Sequence, residues 1–262
     1  PIICTNFLGL QISWYSCWVF LGWILSFIYF DCVSTSLSQK ENDYFKITFF
    51  IFFFVGSRFG FYIENIFWGP FDEIFHISAI QEGGFSGQLG GTFAIIGVIL
   101  LHSILRPGGT SLMRLLDIIA ISVLPGIVCT RIGNFFNHEV LGVPTEMLLG
   151  VIFSHAEGSK KQIPLHPVQL YEAFGFLLGY ALNWTSQKKH LFQGEIFGRI
   201  CLVTSSTRFL LEFLKEDIGK GFPSPGQIFT LPFFLIGFSL LIWFQRKKLS
   251  VNRLLSFRQR DI

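Results

Sequence analysis

The sequence predicts an all-α integral membrane protein with about seven membrane-crossing helices, and three observations predict it. Hydrophobic residues make up 51% of the 262, while charged residues make up only 14%. Soluble domains carry about 25% charge. The mean hydropathy is +0.54. Apolar runs near the length a hydrocarbon core demands, about 20 residues, recur along nearly the whole chain. No stretch of soluble-domain size remains between them. Residues 1–262 therefore read as a single polytopic membrane domain, with 245–262 as a basic tail.

The predicted spans are 14–30, 45–62, 89–105, 115–130, 168–184, 196–214 and 228–244. The first has no basic segment before it and no clear small-residue cleavage site, so it reads as a span and not as a signal peptide. The chain begins at Pro1 and not at Met, so a few preceding residues are expected. The second span is a phenylalanine-rich run, and the third ends at Arg106. The fourth lies between Arg114 and Arg131. Pro167 suits the start of the fifth helix. The sixth holds Arg208, and the seventh ends at the basic Arg246-Lys247-Lys248.

Lys and Arg in the connections set the orientation. One set of connections carries Lys40, Lys46, Arg106, Arg114, Lys188 and Lys189, with Arg246, Lys247, Lys248, Arg253, Arg258 and Arg260 in the tail. The other carries only Arg131, Lys160, Lys161, Lys215 and Lys220, and residues 64–82 hold Glu64, Asp72, Glu73 and Glu82 with no Lys or Arg. The tail is expected in the cytoplasm, the N-terminus outside, and residues 131–142 at the outer face.

That stretch, Arg131-Ile132-Gly133-Asn134-Phe135-Phe136-Asn137-His138-Glu139-Val140-Leu141-Gly142, is the densest polar cluster in the chain. Ionisable groups at a membrane edge are costly and are functional candidates by default. A helix end leaving into water, with Arg131 snorkelling, would not call for two asparagines and a glutamate at fixed spacing. Other polar features sit in or beside spans. Residues 82–91 are glycine-rich, to face a phosphate with backbone N–H groups, to form a flexible turn, or to make a small-residue helix contact. Arg208 and Glu212 stand four apart and could neutralise each other. Asp117 is placed to pair with a basic residue such as Arg114 or to enter the bundle interior. Residues 144–165 are polar enough to lie outside the membrane, where they could help admit a peptide substrate.

Some chemistries have no motif here. Cys4, Cys17, Cys32, Cys129 and Cys201 are scattered and odd in number, which argues against a disulfide framework. There is no CxxC, no HExxH and no Walker loop. No metal or organic cofactor is expected, and nucleic acid is not an expected partner.

The motif Arg-x-Gly-Asn-Phe-x-Asn-x-Glu-x-x-Gly over residues 131–142 resembles the signature of the bacterial prolipoprotein diacylglyceryl transferases. The likeness covers most of the chain, in family order. Trp14-Tyr15 is similar to the family's Trp-Tyr pair, Gly56-Ser57-Arg58-Phe59-Gly60 to its Gly-Gly-Arg-x-Gly element, and Gly83-Gly84-Phe85-Ser86 to its Gly-Gly-x-Ser loop. Asp117, His166-Pro167-Val168-Gln169-Leu170-Tyr171-Glu172, Arg208-Phe209 with Glu212-Phe213, and Gly226-Gln227-Ile228 complete the series.

The resemblance implies an enzyme of the bacterial cytoplasmic (inner) membrane, without cofactor. It would move the diacylglyceryl group of phosphatidylglycerol onto the lipobox cysteine of a preprolipoprotein signal peptide. A thioether forms and glycerol 1-phosphate leaves. Arg131, Arg208 and Glu139 are the implied catalytic residues. Arg131, Asn134, Asn137, Tyr15 and Gly142 are implied for phosphatidylglycerol binding, with Glu139 pairing with or holding an Arg. The chain departs from the family at three places. Gln88, or Leu89 in a shifted register, stands where the family has a histidine; Thr204 stands for a tyrosine and Thr130 for the signature's leading glycine. Either proton transfer proceeds without that histidine, with His138 and His166 as conceivable substitutes, or activity is weakened. A membrane transporter, or a non-catalytic binder of lipid or lipoprotein precursor, is the alternative.

Overall fold

A computed structural model describes residues 2–7, 10–68, 86–106, 108, 110–154, 162–184, 192–215 and 223–258. Seven α-helices dominate: α1 (Trp14–Val33), α2 (Gln39–Trp68), α3 (Gly87–Leu105), α4 (Leu112–Phe136), α5 (Val168–Trp184), α6 (Glu195–Leu211) and α7 (Pro225–Arg258). Each contains or closely matches one predicted span. A 3-10 turn, Glu212–Leu214, continues α6. One addition to the all-α expectation is an antiparallel hairpin, Ile2–Phe7 with Leu10–Ser13, that leads into α1.

Five helices are long and apolar enough to cross a membrane: α1, α2, α3, α4 and α7. The other two, α5 and α6, have 17 residues each, and they carry Glu172 and Arg208. They are the two shortest of the seven. Large apolar side chains stand exposed on the helices, among them Phe20, Ile104 and Phe174, as expected of surfaces that face lipid and not water. The chain is a multi-pass membrane protein.

Two compact units form, Pro1–Phe30 with Leu116–Ile262 and, separately, Asp31–Leu115. In the second unit α2 and α3 meet through small residues. A Cβ on Gly56 would strike Phe93, and one on Gly90 would strike Ser57 and come 2.8 Å from the Phe53 carbonyl oxygen. Close backbone approach of this kind replaces the hydrophobic drive that lipid removes. Of the readings for the glycine-rich stretch, Gly90 takes the helix-contact one; residues 82–85 lie outside the described residues. Ser86 caps α3 and donates to Glu64 at 2.6 Å. Lys46 joins Asp31 at 2.7 Å and Asp43 at 3.1 Å, and Asn42 donates to Asp31 at 2.6 Å. The Arg58 guanidinium lies over the Phe61 and Tyr62 rings.

The first unit positions the candidate site. There α1 crosses α4 where Gly22 faces Gly126, a Cβ on Gly22 coming 3.0 Å from the Gly126 backbone. Pro125 interrupts the helical ladder of α4, and the next amide, Gly126 N–H, donates to Ser26 Oγ at 3.1 Å. Further along the crossing Gly133 accommodates Trp18 and Tyr15, and Trp18 stacks on Phe136.

Asp117, in the first part of α4, is buried and caps α6: its two oxygens accept the Gly194 and Phe197 N–H groups at 2.7 and 2.8 Å. A carboxylate at a helix N-terminus satisfies orphan donors and complements the dipole. The interior role considered for Asp117 is therefore the one it plays. Against α6, α5 packs with Gly175 close to Thr207. On the other side, α7 brings Gly237 within 2.7 Å, at Cβ distance, of the Gly198 carbonyl oxygen.

The described part of 144–165 folds back on itself. Val151 and Leu165 exchange backbone hydrogen bonds, and Thr145 N–H donates to the Pro164 oxygen. Phe153 and Leu165 form its core, with Phe135, Leu141 and Val151 packed around them. Its tip is apolar and exposed at Met147, Leu148 and Leu149, where a polar surface was expected. Residues 155–161 lie outside the described residues.

Candidate active site

The site is built from the end of α4, the loop after it, the start of α5, the end of α6 with its 3-10 turn, and the start of α7. Arg131 lies one turn before the end of α4. Its Nε meets Glu172 Oε2 at 2.7 Å, and its Nη1 donates to Asn134 Oδ1 at 3.4 Å. Glu172, on α5, is fully buried. A buried carboxylate without a partner would be very costly, so its two oxygens are divided between two cations. Oε2 goes to Arg131, and Oε1 goes to Lys215 Nζ at 3.0 Å.

Lys215 also meets Glu212 Oε2 at 2.8 Å, and Ser224 Oγ donates to Glu212 Oε1 at 2.9 Å. A chain of opposite charges, Arg131–Glu172–Lys215–Glu212, thus links three segments distant in sequence. Arg208, on α6, stands close enough to act electrostatically on Glu172 as a third positive charge. The Arg208–Glu212 pairing raised by their spacing is not the one adopted, because Glu212 turns to Lys215 and Ser224. The 3-10 turn breaks the α-helical spacing just where that pair would have formed.

After α4 the chain reverses sharply. His138 and Val140 have φ of 59° and 57°, a left-handed conformation unusual for any side chain and strained for a β-branched one. The reversal swings Glu139 back over the last turn of α4, where it accepts from Asn134 Nδ2 at 2.9 Å and from Asn137 Nδ2. Gln169 Nε2 donates to the Glu139 backbone oxygen. Of the two parts expected of Glu139, pairing with an Arg or holding one, these contacts agree with the second. Glu139 holds the two asparagines and reaches Arg131 only through Asn134, while the carboxylate opposite Arg131 is Glu172.

Tyr15, at the start of α1, lies against Gly133, and the charges of Arg131 and Glu139 act on its hydroxyl. Gly142 pairs with Lys215 in a short antiparallel bridge, and Val143 N–H donates to the Leu214 oxygen. A Cβ at Gly142 would strike the His166 carbonyl oxygen and lie 2.8 Å from Val168. The glycine lets the loop touch the start of α5. His166 is within 3.4 Å of the Tyr171 hydroxyl, and the His138 ring packs edge-on against Phe153. Thr204 Oγ1 donates to the Ile200 oxygen of its own helix.

Every predicted site residue, Tyr15, Arg131, Asn134, Asn137, Glu139, Gly142 and Arg208, falls within the first unit. Sequence reasoning missed the parts played by Glu172, Lys215, Gln169 and Ser224. Glu172 had a usable signal, a carboxylate inside a span. Lys215 had none beyond its three-residue distance from Glu212. Among the described residues no group of His, Cys, Asp and Glu could hold a metal ion.

Residues 1–243 match the family model described as prolipoprotein diacylglyceryl transferase. Three similar proteins bear the name phosphatidylglycerol–prolipoprotein diacylglyceryl transferase. That of Chloroherpeton thalassium is 30% identical over 257 residues, covering 91% of this chain and 90% of the relative. That of Campylobacter lari is 28% identical over 264 residues, covering 94% of each. That of Protochlamydia amoebophila is 34% identical over 223 residues and 79% of this chain, which spans only 59% of that relative's length. The chain belongs to the prolipoprotein diacylglyceryl transferase family.

Proposed function

We propose that this protein transfers the diacylglyceryl group of phosphatidylglycerol to the lipobox cysteine of a preprolipoprotein, in the bacterial cytoplasmic membrane. The observation that carries the reading is the buried network of Arg131, Glu172, Lys215 and Glu212 beside Arg208, in a chain of this family. Family membership favours transfer over transport.

The donor's phosphodiester is an anion, and the reaction increases the charge on the departing phosphate. The thiol sulfur forms a bond to the glycerol carbon bearing the phosphate. The carbon–oxygen bond breaks with its electron pair going to the phosphate oxygen, glycerol 1-phosphate leaves, and the thiol proton passes to solvent. Arg131 and Arg208 bind the phosphate and stabilise that growing charge, as fixed cations in a dry site do. Guanidinium suits the task because it stays charged and carries several donors in a fixed plane, and at Arg208 that fork can grip phosphate oxygens in pairs. Asn134 and Asn137, held by Glu139, orient headgroup or ester oxygens, and Tyr15 hydrogen-bonds the lipid near the interface. The acceptor reacts as thiolate. With Gln88 in place of the family's histidine, positive charge from Arg131 and Arg208 favours the ionised sulfur. The reaction takes place at the outer face, with the basic tail in the cytoplasm.

The test is incubation of the purified protein with labelled phosphatidylglycerol and a lipobox peptide. Thioether product and released glycerol 1-phosphate are expected, and Arg131→Ala should abolish both. Lipid binding without product would overturn transfer in favour of a non-catalytic binder.

A further inference from the structure

Lys215 has no task in the chemistry above, yet its ammonium is the hinge of the network. Its side chain is only 9% exposed and divides its contacts between Glu172 Oε1 at 3.0 Å and Glu212 Oε2 at 2.8 Å. The consequence falls on Arg131. A guanidinium facing a carboxylate prefers two parallel hydrogen bonds, which require both carboxylate oxygens. Lys215 occupies one of them. Arg131 is left with Oε2 alone, through Nε, while Nη1 turns to Asn134. Among the described residues its Nη2 makes no hydrogen bond.

We propose that Lys215 is a positioning residue that, by occupying Glu172 Oε1, keeps Arg131 in a one-pronged pairing and leaves its outer nitrogen for an anionic lipid phosphate. The inference deepens the transfer reading and rests on it. Without Lys215, Glu172 would offer both oxygens, and Arg131 would close on them as a fork. The guanidinium would still be present and charged, but its phosphate-facing edge would be spent on protein. Glu212 would meanwhile lose its nearest cation.

The experiment uses the full chain in lipid nanodiscs of varied phosphatidylglycerol content, with a labelled lipobox peptide. Lys215→Met is expected to raise the KM for phosphatidylglycerol about tenfold or more, as loss of one member of a buried charge network does, and to leave the KM for peptide unchanged. Lys215→Arg should restore lipid affinity. The double variant Lys215→Met with Glu172→Gln should recover part of the loss, because an amide offers Arg131 a single oxygen and prevents the fork. A purely structural role predicts instead that the second change adds damage.

Thermal unfolding of each variant reports folding, and Lys215→Gln takes the place of Lys215→Met should the latter not fold. A folded, neutral variant with unchanged lipid KM overturns the role of Lys215, as does a double variant worse than the single one. Absence of product from the unmodified chain overturns the transfer reading, and this inference with it.

Discussion

Arg131 Nε lies 2.7 Å from Glu172 Oε2, and this pair, whose carboxylate is fully buried, ties the end of α4 to the beginning of α5. Removing one member of a buried ion pair leaves an uncompensated charge and costs about 3–5 kcal/mol. Glu172→Ala is therefore expected to lower the thermal midpoint clearly and to abolish transfer, with Arg131 and Lys215 left facing each other. Glu172→Gln keeps the shape and one acceptor oxygen and should retain more stability. Differential scanning fluorimetry in detergent separates the two. Equal midpoints for Glu172→Ala and the unmodified chain would remove the pair from the fold's support.

Asp117 holds the N-terminus of α6 through Gly194 and Phe197, so the helix that carries Arg208 starts where α4 dictates. Two buried amides lose their acceptor in Asp117→Ala, at about 1–3 kcal/mol for each such unsatisfied group. The variant should be destabilised and should lose activity through misplacement of Arg208. Asp117→Asn, which retains one acceptor oxygen, should fall between. The reading fails if Asp117→Ala matches Asp117→Asn in midpoint and turnover.

The helices of this fold were legible because lipid imposes length and apolarity on anything that crosses it, and all seven elements appear where the apolar runs lie. The hairpin at Ile2–Phe7 and Leu10–Ser13 was not, since pairing of two short strands depends on register and not on composition. In the site, the 131–142 cluster was legible as a local motif. The partners were less so: Glu172 lies on α5, 41 positions beyond Arg131 in the numbering, and only the fold brings them together. The spacing of Arg208 and Glu212 suggested a pair because it assumed an uninterrupted helix. The 3-10 turn at Glu212 and the arrival of Lys215 redirect that carboxylate.

Gly142 is expected to be intolerant of any side chain for a steric reason. A methyl group there meets the His166 carbonyl oxygen, a backbone atom that cannot swing aside, with Val168 behind it. Gly142→Ala should displace the loop from the start of α5 and disturb the neighbouring Lys215 bridge. Transfer should fall at least about tenfold, comparable with over-packing penalties of roughly 1–3 kcal/mol. Steady-state turnover checks it, and near-normal turnover in Gly142→Ala would show that the loop has room to yield.

Arg208 provides the test that separates charge from geometry. It lies on α6 one turn before the 3-10 turn, near enough to Glu172 to act on its charge. Arg208→Ala removes a cation from the departing phosphate, and loss of one such stabilising group costs about a hundredfold or more in turnover. Arg208→Lys keeps the charge but not the planar fork, and a lysine cannot grip two phosphate oxygens at fixed spacing. The lysine variant should therefore bind phosphatidylglycerol with modestly weakened affinity, yet turn over well below the unmodified enzyme. The alanine variant should lose both. Measuring lipid KM and kcat separately decides between the two contributions. If Arg208→Lys is as active as the unmodified chain, charge alone suffices and the fork has no part in the reaction.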